Sequence, residues 1–123
     1  MSWREAVPAA APKRLDARFR APIDLEHLRQ QTLGNEDLQK QVLRIFLRQS
    51  AECIQRIKAA PDMAERSAAA HALVGAARGV GAFSVAYIAC EIELAKAAVT
   101  GRLIALERAH ERARDFIADF LRE

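Results

Sequence analysis

The chain has 123 residues, of which 51% are hydrophobic, 6% aromatic and 28% charged, with 26 alanines among them. One domain usually takes about 100–150 residues, and a core of small and aliphatic side chains suits packed helices rather than a β-sandwich or a disordered chain. The net charge of +3 belongs wholly to residues 1–22, where Arg4, Lys13, Arg14, Arg18 and Arg20 outnumber Glu5 and Asp16; the neutral remainder argues against a nucleic-acid partner, which would want positive charge on the folded face.

Residues 1–22 also hold Pro8, Pro12 and Pro22, which interrupt any long helix, although residues 13–19 have room for a short one. They are expected to form an arm or linker ahead of a domain at residues 23–123. Asp24 is placed to cap a short helix that carries Leu25, Leu28 and Thr32 and closes at Gly34. Asn35, Glu36 and Asp37 open a second helix, acidic residues suiting its positive end. Leu38, Val42, Ile45, Phe46, then Ala51 or Cys53, Ile54 and Ile57 form one apolar stripe at helical spacing. Pro61 ends it.

Asp62 is a candidate N-cap for a third helix, with Ala69, Leu73, Ala76, Ala77 and Val80 on one side, fading at Gly79 and Gly81. A fourth is expected from Ser84 through Val85, Ile88, Ala89, Ile92 and Ala95 to Gly101. A fifth uses Leu103, Leu106, Ala109, Ala113, Phe116, Ile117 and Phe120 and runs to the C-terminus. Short connections imply antiparallel neighbours, so the expected fold is all-α, an antiparallel up-down four-helix bundle with a short leading N-terminal helix.

No apolar run approaches the roughly 20 residues that cross a bilayer, and the N-terminus lacks a basic-then-apolar leader pattern. A cytoplasmic protein with no membrane partner is therefore expected, and nothing in the sequence calls for more than a monomer. Cys53 and Cys90 lack CxxC spacing and sit among apolar neighbours, where cysteine packs as a small hydrophobe. No metal site is expected: Glu107 and His110 make a single Glu-x-x-His where a di-iron bundle needs two. Ser67, Ser84 and His71 lack the acidic partner and elbow of a hydrolase. His27 and His110 read as surface or boundary residues.

His71 is different. At about 100° per residue, with His71 at zero, the third helix places its neighbours at roughly −20° for Arg78, −40° for Ser67, −60° for Val74, +40° for Gly75 and +60° for Ala68. Leu73, Ala77 and Val80 lie on the opposite side, at about 180–240°. His71 thus points away from the core, among small residues. Gly75 costs the helix about 1 kcal/mol relative to alanine, and its place one turn after His71 leaves a notch beside the imidazole through which another surface can approach.

The run His71-Ala72-Leu73-Val74-Gly75-Ala76-Ala77-Arg78-Gly79-Val80-Gly81 resembles the core motif of histidine-containing phosphotransfer (HPt) domains. That motif reads His-x-Leu-Lys-Gly-Ser/Ala-Ala/Ser, with a glycine ten positions after the histidine; His71, Leu73, Gly75, Ala76, Ala77 and Gly81 match it. The helix order of residues 23–123 is similar as well. The resemblance implies a phosphorelay carrier in which His71, as phosphoacceptor, takes a phosphoryl group from a receiver aspartate and passes it to another receiver. A neutral imidazole is nucleophilic near physiological pH, and phosphoryl transfer depends mainly on positioning and charge. Implied partners are receiver domains of response regulators or of a hybrid histidine kinase. The family has no kinase activity or cofactor of its own, the receiver bringing the Mg²⁺, and no GxxxxGK[ST] phosphate loop occurs here.

By the same resemblance, Ala64, Ser67, Ala68 and Val74 around Gly75 would receive a receiver-domain helix. Val74 stands where the family usually has lysine. Arg78, about 10 Å further along the axis, leans back toward the histidine and offers two donors to a phosphate. Glu93 occupies the position on the following helix where a Gln or Glu hydrogen-bonds the imidazole and decides which ring nitrogen carries hydrogen. Val74 also leaves open a reading from another class, an inactive HPt-like bundle serving only as a docking module.

Overall fold

Three of the helices begin on a side chain whose type favours that position. Asp24 Oδ1 accepts from the His27 N–H at 3.1 Å, Asn35 Oδ1 from Leu38 at 3.0 Å and Asp62 Oδ1 from Glu65 at 2.8 Å, each satisfying an N–H that has no partner inside its helix. The computed structural model describes residues 21–123. The expected arm lies, except for Ala21 and Pro22, outside the described residues, as does the short helix suggested for residues 13–19.

Within the described residues the chain is all-α, with α1 Leu25–Gln31, α2 Glu36–Ala59, α3 Met63–Val80, α4 Phe83–Leu94 and α5 Thr100–Arg122. α3 packs on both α2 and α4, α5 packs on α4 and α2, and α1 lies against α3 and α2. Phe46, Leu43 and Ile54 of α2, Ala69, Leu73 and Ala77 of α3, Ala89 and Ile92 of α4, and Leu106, Ala113 and Ile117 of α5 form the core. Alanine on the inner face of α3 and α4 lets their backbones approach closely, and larger side chains fill the space toward α2 and α5. No helix among the described residues is long and apolar enough to cross a membrane.

The corner between α3 and α4 is tight. Gly81 has φ +83°, the Ala82 N–H donates to the Ala77 carbonyl at 2.8 Å, and the Gly81 N–H donates to that of Arg78 at 3.3 Å. This is the paired bonding of a Schellman stop. The segment leading into α1 is pinned to this corner, because the Asp24 N–H donates to the Gly81 carbonyl at 2.9 Å and the adjoining Ile23 is buried. A Cβ on Gly81 would meet the Asp24 carbonyl oxygen at 2.8 Å. The glycine ten residues after His71 therefore joins the segment leading into α1 to the end of the helix that carries the histidine.

Several boundaries differ from expectation. α3 does not fade at Gly79 but runs through it to Val80. α4 stops at Leu94 instead of continuing to Gly101, and Gly101 falls in the first turn of α5. The reason is tertiary. Residues 95–98, an alanine-rich stretch, carry no local stop signal, but Ala95 is extended and its carbonyl accepts from the Arg66 guanidinium of α3 at 3.1 Å. On the α2 stripe Cys53 is buried, whereas Ala51 is exposed, and burial pushes the Cys53 thiol pKa up despite the neighbouring Arg56. Leu38 and Ile45 remain partly open. With Val42, Ala76, Gly79 and, from α1, Leu28 and Gln31, they line a groove of about 320 Å³ where α2 and α3 meet α1.

His110 is half-buried, a boundary residue. Its Nε2 lies 2.7 Å from the Ser50 hydroxyl, which is fully buried and also donates to the Leu47 carbonyl at 3.2 Å. Burial, reinforced by Arg114 and partly offset by Glu111, holds the His110 pKa below the usual histidine range. A histidine on α5 thus closes a polar contact with α2 that no periodicity announces.

Candidate functional site

His71 stands at the middle of α3 on its outer side, with 76% of its side chain exposed. Both flanking turns explain the exposure. Ala64, Ala68, Ala72 and Gly75 leave the same arc bare and are exposed themselves, while Leu73, Ala77 and Val80 turn into the core. Gly75 has open space where a Cβ would be, with nothing within 4 Å. No packing or backbone requirement accounts for glycine there, so its effect is the bare surface beside the ring.

Glu93 of α4 meets the imidazole directly, its Oε2 2.8 Å from His71 Nδ1. A carboxylate can only accept, so in the neutral ring Nδ1 carries the hydrogen and Nε2 keeps a lone pair. Nε2 has no partner among the described residues. Glu93 itself is well held: only 23% of its side chain is exposed, and its backbone carbonyl accepts from the Ser67 hydroxyl at 3.1 Å. Ser67 lies one turn before His71 on the flank facing α4, so this bond sets the register in which carboxylate and imidazole meet.

The same flank explains the largest departure from expectation in the site. Val74, read from the helical wheel as part of the open patch, is 5% exposed and belongs to the core. On α3 it follows Ser67 by two turns along the side that α4 covers, and the close approach of the two alanine-lined helices buries it. The docking patch therefore loses Val74. Ala64 and Ala68 stay exposed and Ser67 is half-buried. Arg78 is exposed, and its side chain makes no hydrogen bond or ion pair with any described residue. Its guanidinium is free to turn toward the histidine.

The other two histidines are differently placed. His27 packs its ring edge-on to Phe83 at a centroid distance of 5.1 Å, and His110 serves the Ser50 contact. Among the described residues no cluster of three or more His, Cys, Asp or Glu is arranged to hold a metal ion. What periodicity had not marked is the α2–α3 groove, whose lining of Leu38, Val42, Ile45, Ala76 and Gly79 adjoins the bare arc of α3. The open stripe residues Leu38 and Ile45 were its only signal.

Taken together, the site offers a solvent-facing imidazole with one nitrogen engaged, a lone pair on the other, and no steric cover on one side. That suits nucleophilic attack on a group carried by another protein. The family model of the Hpt domain matches residues 41–119. No curated protein and no solved structure matches the chain. The matched span covers more than half of the sequence and contains His71, Gly75, Arg78 and Glu93: the chain belongs to the Hpt domain family, the phosphotransfer modules that work with receiver and kinase domains in two-component signalling.

Proposed function

We propose that this protein is a phosphorelay intermediate in which His71 Nε2 accepts a phosphoryl group from the aspartyl phosphate of one receiver domain and returns it to the aspartate of another. The observation that carries this reading is the exposed His71 ring with Nδ1 tied to Glu93 at 2.8 Å beside the open space at Gly75. Attack by Nε2 forms the N–P bond while the carboxyl O–P bond breaks and its electron pair returns to the receiver's aspartate. The carrier contributes the nucleophile, its tautomer and access. It needs no cofactor or kinase activity of its own, and the receiver supplies Mg²⁺.

Arg78 is assigned the phosphate contact that the family's lysine makes, because Val74 offers no charge and is buried. The receiver is assigned to the bare arc of Ala64, Ala68 and Gly75, with an apolar side chain entering the groove along Leu38, Val42 and Ile45. The bundle is read as antiparallel and up-down, with α1 leading. Hydrogen bonds from Ser67 and Arg66 near the start of α3 to Glu93 and Ala95 at the end of α4 support that reading. So do Lys58 with Glu107, where α2 ends and α5 begins, and Lys40 with the Glu123 carbonyl at their other ends. The domain at residues 23–123, preceded by an arm, is taken to act as a cytoplasmic monomer, with neither nucleic acid nor membrane as partner.

The test is phosphotransfer from a phosphorylated cognate receiver, followed by the acid-labile, base-stable label expected of phosphohistidine. Wild type takes up label and His71→Gln does not, while helicity and melting stay nearly unchanged because the residue faces solvent. Equal labelling of the two proteins overturns the assignment. A docking module without phosphoryl chemistry is what remains if neither is labelled and both bind the receiver.

A further inference from the structure

We infer that Glu93, because it is a carboxylate and not an amide, keeps a proton on Nδ1 of the phosphorylated His71 ring and so makes this carrier a rapid donor; the inference rests on His71 being the phosphoacceptor. A carboxylate only accepts hydrogen bonds, whereas a glutamine amide accepts or donates according to how it is turned. In the resting protein the difference is silent, since Nδ1–H donates to Glu93 Oε2 at 2.8 Å and either side chain would accept. Phosphorylation exposes it.

When Nε2 commits its lone pair to phosphorus and the receiver's O–P bond breaks, the ring either retains the Nδ1 proton as a cation or releases it. Release would leave the Nδ1 lone pair facing a carboxylate oxygen at hydrogen-bond distance. Retention sets a cationic ring against an anion, a charge-assisted contact. The phosphorylated ring therefore stays protonated, and its leaving group is neutral imidazole. On onward transfer the aspartate oxygen bonds to phosphorus, the N–P pair returns to Nε2, and the Nδ1 proton has not moved. Hydrolysis follows the same path with water supplying the oxygen and its released proton going to solvent. A glutamine would turn its NH₂ toward the deprotonated Nδ1 and stabilise the neutral ring, which leaves less readily.

The surroundings leave the Glu93 charge unopposed. Its position is fixed through its own backbone by Ser67, Val74 brings no cation, and no Lys or Arg among the described residues pairs with its carboxylate. Glu93 is thus a positioning residue acting through the His71 ring. Because Ser67 holds the backbone carbonyl, a side-chain substitution leaves the α3–α4 contact in place.

The test uses the full chain, ¹⁵N-labelled at histidine and phosphorylated with phosphoramidate. The Nδ1 nitrogen resonance reports the proton, and the decay of the phosphohistidine phosphorus resonance reports lifetime. Wild type and Glu93→Asp should keep a protonated Nδ1 after phosphorylation. Glu93→Gln should lose that proton while keeping its far-ultraviolet spectrum, and its phosphohistidine should last about tenfold longer, the scale of one unit-charge contact close to water. Labelled Glu93→Gln with the wild-type nitrogen state and lifetime overturns this inference and leaves the phosphoacceptor reading intact. Wild type with no His71 phosphorus resonance overturns that reading and the inference with it.

Discussion

Gly81→Ala is the substitution for which the structure gives the fullest account. The residue sits at φ +83°, a conformation that costs a side chain about 1–2 kcal/mol. Its new Cβ would also stand 2.8 Å from the Asp24 carbonyl oxygen and 3.3 Å from the Asp24 Cβ. The oxygen is backbone and cannot rotate aside, so the segment carrying Ile23 and Asp24 must shift. That shift removes the 2.9 Å bond from the Asp24 N–H to the Gly81 carbonyl, worth about 1 kcal/mol net. It also uncovers part of Ile23, whose full burial contributes about 1.5–3 kcal/mol. The sum is a loss of about 2–5 kcal/mol, a large share of the stability of a small domain. Urea unfolding followed by circular dichroism measures it. Gly81→Asn separates the two causes, because asparagine tolerates the left-handed region yet keeps the offending Cβ, and it should still lose about 1–3 kcal/mol. A loss below about 0.5 kcal/mol for Gly81→Ala would refute the idea that Gly81 ties the segment leading into α1 to the end of α3.

Gly75 should behave in the opposite way. With nothing within 4 Å of a Cβ, Gly75→Ala is expected to raise stability by about 0.5–1 kcal/mol, and Gly75→Leu to slow phosphotransfer without unfolding; unchanged transfer by the leucine variant would remove the access role. For His110 the sign follows from linkage. Its folded pKa lies below the unfolded value because of burial first and Arg114 second, so its contribution is fully present above about pH 6.5 and is lost as pH falls through the window between the two values. Urea midpoints at pH 7.5 and 5.5 should therefore fall further for wild type than for His110→Gln, which can still hydrogen-bond Ser50, and equal falls would contradict the sign.

Much of this protein was legible in the sequence for local reasons. Asp24, Asn35 and Asp62 announce helix starts through short-range hydrogen bonds, and the spacing of Phe46, Ile54 and Ile57 marks the buried side of α2, although Leu43, outside the expected stripe, is buried while Leu38 and Ile45 within it stay exposed. The outward direction of His71 follows from its angle to Leu73 and Ala77, and the absence of packing around Gly75 agrees with the reading of an exposed notch. These are properties of one helix and its nearest neighbours in the chain.

What tertiary structure alone decided are the edges where one helix meets another. A helical wheel gives the angle of Val74 but not the width of the arc that a partner covers; α4, drawn close by alanines, covers that flank and takes Val74 into the core. The end of α4 at Leu94 depends on Arg66 reaching the Ala95 carbonyl across 29 residues of chain, and the Ser50–His110 contact joins residues 60 apart. The meeting of Glu93 with Nδ1 likewise depends on the register between α3 and α4. Periodicity reports which way a side chain points from its own axis, and only the packing of axes against one another determines what it then meets.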